Sequence, residues 1–94
     1  MFSQLKLIEM FKDGVTTGVS TGGMNLKICG DKLIHFDTVI AERYKEKFIL
    51  NNSRYSLVTG TLQKKIKKII GEENLIMVTK IERDYNGSLV PFIK

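Results

Sequence analysis

Residues 61–71 read TLQKKIKKIIG, and the way that stretch winds decides what fold to expect around it. At 100° per residue, Leu62, Ile66, Ile69 and Ile70 fall within one arc, while Lys64, Lys65, Lys67 and Lys68 cover the rest. Thr61 stands where an N-cap belongs, and Gly71 where a left-handed residue ends a helix with least strain. The spacing predicts a short basic helix over 61–71, with one side buried and the other turned toward anions.

Moving outward, the flanking segments change to strand character. Phe48 to Leu50 and Tyr55 to Val58 read as short strands joined through Asn51-Asn52-Ser53. Leu75 to Ile81 reads as a buried strand, and Asn86-Gly87 as a hairpin turn that brings back Leu89 to Ile93. Pro91 cannot donate to a ladder, which puts that last strand at an edge. Earlier in the chain, Met24, Leu26 and Ile28 alternate with polar residues and Gly30-Asp31 supplies a tight turn. Lys32 to Glu42 then returns as one strand with Ile34, Phe36 and Ile40 on a face, and Tyr44 to Lys47 makes the next connection. Gly14 to Gly23, with four glycines, three threonines and a serine, reads as a mobile loop or an irregular edge strand. Ser3 to Lys12 reads as a helix capped by Ser3 and stopped by Asp13-Gly14, with Phe2, Leu5 and Ile8 on its inner face. The sum is an α+β fold. An antiparallel β-sheet of five to six strands carries an N-terminal helix and the basic helix 61–71, in a single domain spanning 1–94 without repeats or linkers.

Composition sets the class of protein. Of 94 residues, 43% are hydrophobic and 27% charged, the balance of an ordinary globular domain with one modest core. Cys29 is the only cysteine, which excludes an internal disulfide and suits a reducing cytoplasm. Lys6 and Glu9 interrupt the apolar pattern of the first eleven residues, so they do not read as a secretory signal. The longest apolar run, Leu75 to Val78, is far short of a membrane span. A cytoplasmic location in a bacterial host cell, with no membrane partner, is the expectation. The net charge is +5, and residues 49–94 hold eight Lys or Arg against four Asp or Glu. A surface of that sign attracts nucleic acid or an acidic protein.

Few residues suggest bond-making chemistry. His35 and Asp37, two apart on an expected strand, would share a face, but no second His or nucleophile accompanies them, so a polar sheet face is the favoured reading. Cys29 beside Lys27 reads as a small inert residue. Gly18, Gly22 and Gly23 fit no phosphate-loop pattern, and the lone His, the lone Cys and Glu72-Glu73 have no metal-ligand spacing. No catalytic residue, metal or cofactor is expected. Binding residues are. Lys64, Lys65, Lys67 and Lys68 can meet phosphates, Arg54 immediately precedes Tyr55, and Lys80 and Arg83 lie in or near the last hairpin.

One ordered series of residues resembles a known group. Gly18 and Asn25, Gly30 and Leu33, Phe36-Asp37-Thr38-Val39-Ile40-Ala41, Leu50-Asn51, and Tyr55-Ser56 followed by Thr59 and Gln63 are similar to motifs of small proteins and domains from phages and other mobile elements of low-GC bacteria. There the central phrase runs Tyr-x-Thr-x-Ile-Ala and the last Tyr-Ser-x-Thr-Thr-Ser-x-His-Gln. Here Phe36 replaces the Tyr and Leu62 the His. The resemblance implies an origin in mobile DNA rather than an activity. By analogy with anti-CRISPR proteins, it points to a non-enzymatic inhibitor of a host defence effector that uses its basic face on a protein or guide-RNA surface. A nucleic-acid-binding accessory protein and a self-associating structural phage component are the alternatives.

Overall fold

The computed structural model describes residues 2–20 and 26–93. Met24, Asn25, Gly22 and Gly23 lie outside those residues. One sheet contains six strands in sequence order: β1 (Thr17–Val19), β2 (Leu26–Cys29), β3 (Lys32–His35), β4 (Thr38–Tyr44), β5 (Lys47–Asn51) and β6 (Leu75–Val78). Neighbours are antiparallel from β1 to β5. The chain then crosses over through a helix, so β6 runs parallel to β5. With α1 (Gln4–Lys12) and α2 (Leu57–Ile70) on one face, the fold is α+β.

The helix-covered face forms where sheet and helix periodicities meet. Leu26, Ile28, Leu33, Ile40 and Leu50 pack against Leu7, Ile8 and Phe11 of α1 and Leu62, Ile66 and Ile70 of α2. Each fully buried Leu, Ile or Phe contributes about 1.5–3 kcal/mol, which makes this layer the main source of stability. A register shift opposite Leu33 and Ile34 lets both Ile40 and Ala41 join the same cluster.

Helix α1 starts as the sequence predicts, with Ser3 Oγ accepting from Lys6 N at 3.1 Å. Its inner stripe differs. Gln4, Leu7, Ile8 and Phe11 are buried, whereas Phe2 and Leu5 are exposed. Phe2 precedes the helix and forms an isolated bridge to Ser20, so it cannot share the helical face. Arg43 of β4 closes the C-terminal end of α1. Its Nε and Nη2 donate to Phe11 O at 3.1 and 2.7 Å, Nη1 donates to Gly30 O at 2.7 Å, and the guanidinium lies 4.4 Å from the Phe11 ring centroid. A cation there complements the helix dipole and satisfies an end carbonyl.

Three expected features resolve differently. Lys32 to Glu42 is a hairpin rather than one strand. The turn is Phe36-Asp37, with Phe36 at φ +56°. Tyr55 to Val58 is not a strand, because Ser56 Oγ accepts from Thr59 N at 3.3 Å and starts α2 at Leu57, four residues before Thr61. Thr61 is therefore inside the helix and donates its hydroxyl to Leu57 O. Gly71 does end α2, at φ +93°.

The third difference closes the opposite face. After Val78 the chain leaves the sheet, and neither the Asn86-Gly87 hairpin nor a strand at Leu89 to Ile93 forms. Pro91 instead sits in a single 3-10 turn over Val90–Phe92. Lys80 and Asp84 take positive φ, which breaks strand geometry. Residues 79–93 lie across the sheet, burying Ile81 and Leu89 against Val39, Ile49 and Val78. Several of their backbone N–H groups donate to polar side chains instead of a ladder. Ile81 N donates to Ser53 Oγ, Asp84 N to Thr38 Oγ1, and Leu89 N to the buried Glu42 Oε1 at 2.6 Å. No helix among the described residues is long and apolar enough to cross a membrane.

Candidate nucleic-acid interface

A polar network fixes the approach to α2. Asn51 Oδ1 accepts from Ser53 N, while Asn51 Nδ2 donates to Val39 O at 3.1 Å and to Tyr55 Oη at 3.0 Å. Tyr55 Oη in turn donates to Ile81 O at 2.7 Å. Gln63, one helical turn past Thr59 and buried, donates to Asn51 O and Ser53 O, both at 2.8 Å. These residues hold loop 52–56 and the N-terminus of α2 in one place. Asn51, Tyr55, Ser56, Thr59 and Gln63 thus all have structural roles here.

Two concavities open on either side of Tyr55 and Ser56. The first is a groove of about 780 Å³ lined by Arg54, Lys64 and Lys67 together with Tyr55, Leu57 and Gln63. No carboxylate lines it. The second is a cavity of about 380 Å³ between the Phe36-Asp37 turn, the start of α2 and the Arg83-Asp84 turn. His35, Thr38, Thr59 and Arg83 are among its walls. Leu57, 92% exposed, and Phe36, 52% exposed, stand beside these openings as uncovered apolar groups.

The basic residues expected to bind are thus divided. Arg54, Tyr55, Lys64 and Lys67 share the groove, and Arg83 joins Tyr55 in the cavity. Lys68 is exposed but lines neither. Lys65 is half-buried and donates to Gln4 Oε1 at 2.9 Å, so it bridges the two helices. Lys80 lies beside β6 and Phe92, in a different depression. Lys12, not singled out by its sequence position, donates to Ile69 O at the C-terminal end of α2, where a cation suits the helix dipole.

His35 and Asp37 do not share a strand face, because the turn at Phe36-Asp37 separates them. Both nonetheless line the cavity. His35 is 3% exposed, and its Nε2 is buried without a hydrogen-bond partner among the described residues. Burial pushes the imidazole pKa below its ordinary value, so the ring is neutral at physiological pH. Its edge faces the Phe36 ring with centroids 4.6 Å apart. Cys29 is exposed at the end of β2 and lines neither opening. No cluster of three or more His, Cys, Asp or Glu able to hold a metal occurs among the described residues. The cavity was missed at the sequence level because its walls come from three separated segments. The signal that could have found the start of α2 was Ser56 three residues before Thr59, with Thr59, Leu62, Gln63 and Ile66 at helical spacing.

No protein-family model matches the chain, and no curated protein or solved structure is significantly similar to it. What this surface can do is therefore set by its own geometry.

Proposed function

We propose that this is a non-enzymatic binding protein that grips the phosphate backbone of a nucleic-acid strand along the α2 groove. One observation carries that reading: Arg54, Lys64 and Lys67 line a single groove from which carboxylates are absent, with Tyr55 also in its lining. Cations arranged along a channel track a backbone, and an aromatic group beside them receives a base. The mobile-element resemblance of residues 18–63 suggests the biological setting, an inhibitor that engages the guide RNA of a host defence ribonucleoprotein. Lys68, exposed on the same helix, adds to the field around the groove.

The test is binding of a single-stranded RNA oligonucleotide at low salt by the wild type and by the triple variant Arg54→Glu, Lys64→Glu, Lys67→Glu. None of the three side chains hydrogen-bonds another part of the fold among the described residues, so the variant should keep its circular dichroism spectrum while binding disappears. A folded triple variant that binds as well as the wild type would refute the groove.

A further inference from the structure

The groove accounts for a backbone but leaves the adjoining cavity without an occupant. It has three features that a phosphate pocket would not have. Asp37 and Asp84 line it beside the single cation Arg83, so its charged side chains are net acidic. His35 is neutral through burial. Two aromatic rings, Phe36 and Tyr55, flank the space, and Phe36 holds a positive φ of +56° that disfavours a bulky residue. A mostly exposed phenyl ring in that conformation gains nothing for the core. The buried His35 Nε2 remains a hydrogen-bonding group with no partner among the described residues.

From this juxtaposition we infer that the cavity takes an unpaired guanine base from the strand whose phosphates lie in the groove. This inference rests on the groove reading, because Tyr55 and Ser56 line both openings and place them side by side. A volume of about 380 Å³ lies within the range of small-ligand sites, about 300–1,000 Å³. Unstacked bases are read by aromatic stacking and by hydrogen bonds to their Watson–Crick edge. Carboxylates only accept, and among the bases guanine alone presents a ring N–H next to an exocyclic amine on that edge. Adenine and cytosine place a ring acceptor beside their amine, which a carboxylate repels. Uracil flanks its one N–H with two carbonyls. Asp37 and Asp84 therefore select guanine, and Phe36 supplies the stacking face.

His35 is the only histidine, so its ring resonances report the cavity without ambiguity. The experiment adds guanosine monophosphate, adenosine monophosphate and inorganic phosphate separately to the full chain and follows the imidazole by NMR. Guanosine monophosphate is expected to shift the ring and to bind about tenfold more tightly than the adenosine nucleotide, while phosphate leaves the ring unmoved. Phe36→Gly, which suits the turn's positive φ, should weaken guanosine monophosphate binding by about tenfold, the scale of one lost stacking contact. Asp37→Asn with Asp84→Asn should erase the preference over adenine. An equal response to both nucleotides, or a response to phosphate alone, overturns the assignment. Salt-sensitive RNA binding with no response to guanosine monophosphate removes the base site and leaves the groove standing. A guanosine response without any RNA binding removes the groove, and with it the strand proposed to deliver the base.

Discussion

On one face of the sheet, α1 and α2 place apolar side chains at helical spacing over alternating strand residues; on the other, residues 79–93 hold a single 3-10 turn as regular structure and are tied down by polar groups. The first face closes by repetition, so many equivalent contacts share the load. The second closes by single attachments, with Thr38, Glu42, Ser53 and Tyr55 each receiving or holding one point of the crossing chain. Stability is therefore distributed on the helix side and localised on the other. The candidate interface sits where the two meet, at the start of α2 and the Arg83-Asp84 turn.

Substitutions can break this contrast from either side. The largest effect should come from Ile66→Ala, which opens a cavity in the helix-covered layer and should lower the free energy of unfolding by about 2–5 kcal/mol in urea titrations. Exchange of backbone amides should then quicken across both helices together. Glu42→Ala should cost less, about 1–3 kcal/mol, since it strands the buried Leu89 N–H and frees Ser88. Its exchange signature should be confined to residues 81–93. Quickened exchange in α1 to the same degree would mean that the two faces are not separable in this way.

The smallest effect concerns pH and His35. The unfolded chain binds the imidazole proton near pH 6.5, whereas burial lowers the folded pKa below that value. Stability from this group is complete above pH 6.5 and is lost as pH falls through the folded pKa. Asp37, Asp84 and Arg83 are the other charged groups that share the cavity with His35. The urea midpoint should accordingly drop between pH 7.5 and 5.5, and His35→Gln should reduce that drop. An identical drop in the variant would assign the pH dependence to other groups.

The same contrast explains what the sequence disclosed. The helix-covered face was legible because Leu62, Ile66 and Ile70, or Leu26 and Ile28, repeat at the period of their own element. The start of α2 was hidden because its inner stripe begins with polar Thr59 and Gln63, while apolar Leu57 and Val58 face outward. The β3–β4 hairpin was hidden because Phe36 occupies a positive-φ turn position where glycine is favoured. Residues 79–93 were misread for a further reason. Their partners are side chains up to 47 residues distant in sequence, which no local pattern records. The basic character of α2 was evident from four lysines. Which of them share a groove depended on Arg54 arriving from the loop and on Lys65 turning to Gln4.

The salt dependence of RNA binding tests the central claim most directly. Three phosphate contacts to a single strand give a logarithmic slope of about −2, so affinity for a single-stranded oligonucleotide should fall roughly 20-fold between 50 and 200 mM salt. Affinity that stays level over that range would contradict a phosphate-binding groove on α2.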